Sequence, residues 1–167
     1  MKNEPLPPLL TVSQVDIPRY LGTWFEIARY PNRFQKGCVA SRATYTLRKD
    51  GNLSVLNECY NKAKPGKLRS AQGKAWVVDP LSNAKLKVSF FWPFSGDYWI
   101  IDLGHEYEYA VVGHPQRTYL WILSREETME EGTYQAILAR LAEQHYDITK
   151  IIKSDQGELT YELERVF

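Results

Sequence analysis

The sequence predicts an all-β protein: an eight-stranded antiparallel up-and-down β-barrel with a C-terminal α-helix packed on the outside. Three observations predict it. Eight segments of strand-like composition follow one another at even spacing. The connections are too short for the crossovers that parallel strands need. One later segment carries the apolar period of an amphipathic helix. A meander of eight strands has two raw edges unless it closes on itself, and a barrel removes them.

The strands can be justified in order. Residues 22–30 carry Trp24, Ile27 and Tyr30 among β-type neighbours. Residues 40–48 alternate, and Asp50-Gly51 then gives a hairpin signal before the partner strand at 53–60. A polar loop with Pro65-Gly66 leads to a strand at 68–78, closed by Asp79-Pro80. Residues 84–92 alternate most clearly, with Leu86, Val88 and Phe90 on one face and Lys85, Lys87 and Ser89 on the other. Strands at 97–103, 107–113 and 118–125 are separated by short turns that contain Gly or Pro. The helix covers 130–146, where Tyr134, Ile137, Leu138, Leu141 and Tyr146 form an apolar stripe. Residues 148–152 fit either a strand or a helical turn.

A chain of 167 residues is about one domain. We place an N-terminal extension at 1–15, the barrel domain at 16–153 and a polar tail at 154–167. Pro5, Pro7 and Pro8 suit a linker outside the fold. Lys+Arg (21) and Asp+Glu (20) balance, which argues against a nucleic-acid protein working by broad phosphate neutralisation. No apolar run reaches the ~20 residues of a transmembrane helix, and residues 1–10 have no signal-peptide core. The aromatic fraction, 13%, is the compositional outlier: it must fill a core or line a site. Cys38 and Cys59 read from spacing alone either as two reduced buried thiols or as a disulfide.

Gly22-Thr23-Trp24 at the head of the first strand and Trp121-Ile122-Leu123-Ser124-Arg125 at the end of the last resemble the first and third signatures of the lipocalin family. His105-Glu106-Tyr107 stands where that family's Thr-Asp-Tyr is expected and departs from it at the first residue. The similarity, strongest to the bacterial lipocalins and their plant temperature-induced relatives and more distant to apolipoprotein D, covers about residues 16 to 153. It implies the lipocalin fold. Gly22, Trp24 and Arg125 become its structural signature, with Trp24 plugging the narrow end and Arg125 across the indole, a contact of roughly 0.5–2 kcal/mol. It also implies a Cys38–Cys59 disulfide. Strand parity opposes that pairing, because Cys59 is in phase with inward Asn57 and Cys38 with outward Arg42; a bulge would reconcile them.

Trp24 and Arg125, taken as inward, set the phase of their strands. Glu26 and Ala28 then point in, as do Tyr119, Trp121 and Leu123. On the other strands the inward choices are Ala43, Tyr45 and Leu47; Leu53, Val55 and Asn57; Ala75 and Val77; Leu86, Val88 and Phe90; Trp99 and Ile101; Ala110 and Val112. Phe34 lies in the loop after the first strand, where it can fold over the open end. The ligand-lining set is Glu26, Phe34, Tyr45, Val55, Asn57, Ala75, Phe90, Trp99, Tyr119, Trp121 and Leu123. By the same parity Trp76, Trp92 and Tyr109 face out and can mark a contact surface.

No His-Glu-X-X-His, Gly-X-Ser-X-Gly or phosphate-loop motif occurs, and His105, His114 and His145 read as surface turn residues. No catalytic residue, metal site or cofactor is assigned. The resemblance implies binding and transport or storage of small hydrophobic ligands such as fatty acids or lysophospholipids. The competing expectation is a lipocalin-fold enzyme or a haem- or pigment-binding protein. Partners are the hydrophobic ligand and a possible membrane surface, with no nucleic acid, in a monomer or homodimer. The resemblance places the protein in the cell envelope, at the periplasm or outer membrane, if a leader has been removed, with a role there in maintenance or stress response; without a removed leader the cytosol is the alternative.

Overall fold

The structure is a computed structural model and describes residues 4–156 except Pro65, Trp92 and Asp155, with only the backbone of Phe94. Its strands are β1 (Gly22–Arg29), β2 (Cys38–Leu47), β3 (Leu53–Asn61), β4 (Leu68–Val77), β5 (Lys85–Phe91), β6 (Phe94–Leu103), β7 (Tyr109–Gly113) and β8 (Leu120–Ser124). Each pairs antiparallel with the next, and β1 pairs with both β2 and β8, which closes the barrel. Helix α1 (Ile17–Tyr20) precedes β1, and α2 (Glu131–Glu143) follows β8. No helix among the described residues is long and apolar enough to cross a membrane.

Two apolar clusters result. One fills the barrel and includes Trp24, Tyr45, Val55, Ala75, Leu86, Ile100, Val112 and Leu123. The other lies outside the wall, where Tyr134, Ile137 and Leu141 of α2 cover Ala28, Val111, Leu120 and Ile122. Strands β6, β7 and β8 are therefore apolar on both faces, and their alternation cannot reveal which face is inside.

One end of the barrel is closed. The Trp24 indole is fully buried, and its Nε1 donates to the Tyr20 carbonyl (2.9 Å). The Arg125 guanidinium lies 3.7 Å from the indole centroid. Its nitrogens donate to the carbonyls of Thr23 (3.1 Å), Arg19 (2.7 Å) and Tyr107 (3.3 Å). One side chain thus ties together the entry to β1, α1 and the β6–β7 turn. Gly22 sits at φ +105°, and a Cβ there would stand 3.2 Å from Arg125 Nη1, so the position accepts little else.

Residues at both ends depart from expectation. The segment expected to lie outside the fold packs along it. Leu9 and Val15 are buried, the Val12 amide donates to Ile100 O (3.0 Å), and Pro7 O accepts from Arg117 (2.6 Å). Residues 148–150 form a 3₁₀ turn, and Ile152–Lys153 add a short ninth strand, β9, paired with β1 at Ala28 and Arg29. Gln156, placed in the tail, is buried and donates to Glu26 O and Ser41 O, both at 2.7 Å. Residues 157–167 lie outside the described residues.

Cys38 and Cys59 form a disulfide. The parity conflict is resolved by an irregularity in β2: the register shifts between Val39 and Arg42, with Ala40 at φ +52°.

Trp24→Ala should cost about 3–5 kcal/mol, since it empties the packed floor and strips Arg125 of its ring. Urea denaturation with an unchanged m-value is the check.

Candidate functional site

Side chains from all eight barrel strands, β1 to β8, converge inside the barrel, but the two halves of the interior differ. The closed half is packed. Tyr20, Tyr45 and Tyr98 meet there, with the Tyr98 hydroxyl 2.6 Å from that of Tyr20 and 2.8 Å from that of Tyr45. Burial raises all three phenol pKa values; that of Tyr45 is pushed up to about 12. Leu53, Val55, Ala75 and Leu86 complete this floor.

The open half is different. Val55 and Asn57 share the inward face of β3, two residues apart, yet Val55 is 2% exposed and Asn57 is exposed. Asn57 pairs with Ala43 and Ala71, and Val55 with Gly73, so all of these face in. Gly96 pairs with inward Val88 and is also exposed. Above the Val55 layer the inward residues Asn57, Ala71 and Gly96 are all exposed, and Ala43, Ala71, Gly73 and Gly96 on these faces are small. Gly73 must be small: a Cβ on it would lie 2.7 Å from the Phe90 ring. Phe90 and Trp121 are half-buried in this half.

The wall beside β1 holds a polar network. Glu26 is 2% exposed. One of its oxygens accepts from Gln35 Nε2 (2.6 Å); the other accepts from Arg29 Nη1 (2.8 Å) and the Ser154 hydroxyl. Gln35 lies on a 3₁₀ turn, Arg33–Gln35, and its carbonyl oxygen accepts from the Trp121 indole (2.8 Å). A buried carboxylate is tolerated here because it is paired and saturated with donors, not because water reaches it. Arg29 faces Glu26 because the β1–β8 register shifts between Glu26 and Ala28. That bulge puts Arg29 opposite inward Trp121 and turns Ala28 outward beneath α2, against the sequence expectation for Ala28.

Trp99 is the lining residue the structure overturns. On β6 it is Tyr98, paired with inward Leu86, that faces the interior. Trp99 pairs with Lys85, points outward, packs beside the helix-side cluster and lies 4.4 Å from the Lys85 ammonium. Ile101 is on the same outer side. Phe34 is 63% exposed at the rim, with its ring 6.0 Å from that of Tyr119, which stacks on Trp121 at 5.9 Å. Leu47 is inward in phase but exposed at the closed end, where it lines a cleft of about 380 Å³ with Ile17, Leu21 and Trp76. Tyr109 is no contact surface: it packs beneath α2, with Arg140 donating to its hydroxyl (2.9 Å). Trp92 lies outside the described residues. Among the described residues no group of three or more His, Cys, Asp or Glu is placed to hold a metal.

This geometry is a calyx with a tryptophan–arginine floor and one open end. Residues 15–156 match the family model described as a lipocalin-like domain. The chain belongs to the lipocalin family. Among curated relatives, temperature-induced lipocalin-1 of Arabidopsis thaliana is 44% identical over 88% of this chain and 82% of its own. The outer membrane lipoprotein Blc of Escherichia coli K12 is 44% identical over 90% and 85%. Apolipoprotein D of Macaca fascicularis is 31% identical over 84% and 77%. Insecticyanin from Manduca sexta superposes with a TM-score of 0.72 at 22% identity, covering 92% of this chain and 87% of that one, and so shares the fold. Lipocalins are known as binders of small hydrophobic ligands.

Two outcomes follow. Glu26→Ala leaves the Arg29 guanidinium buried without its partner and should cost about 3–5 kcal/mol by urea denaturation. The tyrosine trio makes stability fall with rising pH. Below pH 10 the phenols are protonated in both states and their contribution is complete. Above it the unfolded chain releases protons that the folded chain retains, for Tyr45 up to about pH 12. The urea midpoint should therefore drop between about pH 10 and 12, and less in Tyr98→Phe than in the parent.

Proposed function

We propose that the protein binds and carries a single-chain amphiphile, a fatty acid or a lysophospholipid, with its acyl chain in the open half of the calyx. The observation that carries this reading is the contrast between Val55 and Asn57 on one inward face: the interior is packed below and open above. The open half has apolar walls at Ala43, Ala71, Phe90 and Trp121, with Leu123 and Val55 beneath them. Tyr45 and Ala75 act from the packed floor. Asn57, Tyr119 and Phe34 stand at the mouth, where a head group would sit. Glu26 serves by holding Arg29, Gln35 and the C-terminal segment in place, since both its oxygens are engaged.

Burying each methylene is worth about 0.8 kcal/mol before entropy and strain, so a chain of about fourteen carbons supports micromolar binding with little polar recognition. The role is carriage or storage rather than catalysis, in the manner of the family. The cell envelope is the proposed place of action. Two observations favour it: relatives named outer membrane lipoproteins, and a disulfide, which belongs to an oxidising compartment.

A fluorescent fatty-acid probe should bind saturably near one site per chain. Ala71→Trp, which fills the mouth from an exposed position, should weaken it at least ~10-fold with little change in stability. Absence of saturable binding in the parent protein would sink the proposal.

A further inference from the structure

The near-zero net charge conceals a segregation. Residues 27–49 and 59–78 contain no acidic residue at all. The open-side loops within these stretches, β1–β2 and β3–β4, carry Arg33, Lys36, Lys62, Lys64 and Lys67, all exposed. None of these five takes part in an ion pair among the described residues. The two loops are held as one platform: the Lys62 amide donates to Gly37 O (2.8 Å), Arg69 Nη1 to Lys36 O (3.0 Å), and the disulfide joins the strands beneath.

Apolar side chains project from the same end. Phe34 is 63% exposed between Arg33 and Lys36, Leu68 is 46% exposed beside Lys67, and Phe91 at the end of β5 is 80% exposed. Cations interleaved with exposed aromatic and aliphatic groups around an opening suit a surface that is anionic outside and apolar a few ångströms deeper. A nucleic acid would use the charge, but these two loops border the barrel mouth rather than a groove along which a phosphate backbone could run.

We infer that the open rim docks on an anionic lipid bilayer, with Lys62, Lys64 and Lys67 among the head groups and Phe91 and Phe34 reaching the acyl boundary. The calyx mouth then faces the membrane. The docking itself is independent of ligand carriage; what passes through the docked mouth rests on the carriage proposed above.

The test is vesicle co-sedimentation of the whole chain with phosphatidylglycerol–phosphatidylcholine vesicles and with phosphatidylcholine alone, in low salt and in about 0.5 M salt. Binding should require the anionic lipid and weaken with salt. The triple variant K62E/K64E/K67E should lose at least ~10-fold in partition, because each basic residue adds to the attraction of the anionic surface, and Phe91→Ser should lose several-fold. The triple variant should still bind the fluorescent fatty acid in solution, which separates failure of docking from failure of carriage. No binding to anionic vesicles, equal binding to neutral ones, an unchanged triple variant, or polyuridylate bound as tightly as the vesicles would each overturn the inference.

Discussion

A guanidinium lying flat on an indole closes this barrel at one end, and the rest of the molecule is arranged around that closure. Arg125 stands at the end of the last barrel strand and Trp24 at the start of the first, so one contact joins the chain's two seam strands. The three carbonyls that Arg125 also satisfies belong to α1, β1 and the β6–β7 turn. With that end sealed, the tyrosine trio packs above it, and the opening is forced to the far end. Polarity along the barrel axis is thus a consequence of where the plug sits.

The opposite end is held by different physics. There β1 and β2 no longer pair with each other: their ladder runs from Gly22↔Tyr45 to Phe25↔Arg42. The gap is spanned by β9 and by the Gln156 carboxamide, which reaches both Glu26 O and Ser41 O. Glu26 collects donors from Arg29, Gln35 and Ser154, and so ties the 3₁₀ turn and the C-terminal segment to the wall. The mouth keeps its shape through buried polar pairing, which fixes geometry at a desolvation cost, whereas the floor is fixed by apolar packing.

The barrel, its strand order, the outer helix and the plug were legible in the sequence because strand spacing and the 3.6-residue period report them directly. Most of the interior was legible too: Tyr45, Val55, Ala75, Phe90, Trp121 and Leu123 face in as parity says. Trp99 was not, because Tyr98-Trp99-Ile100-Ile101 is apolar on both faces where α2 covers the wall. Its phase had to come from pairing with β5, where inward Leu86 opposes Tyr98. Arg29 was missed because the bulge at Ile27 inverts the alternation, and no composition signal marks such a bulge. The β2 irregularity hid the disulfide geometry in the same way. Gln35 and Gln156 act through the loops and tail that bring them in, contacts that strand patterns do not encode. The basic rim was present in the sequence as two long acid-free stretches, but the net charge averaged it away.

Packing below the Val55 layer and ligand entry above it together define how this barrel would bind. An NMR titration of the labelled protein with hexadecanoate measures this residue by residue. Shifts are expected at the Trp121 indole and at the backbone amides of Asn57, Ala71, Gly73 and Gly96, with Trp24 and Leu53 unmoved. Shifts confined to Leu47, Leu53 and Trp76, at the closed-end cleft, would contradict ligand entry above the Val55 layer.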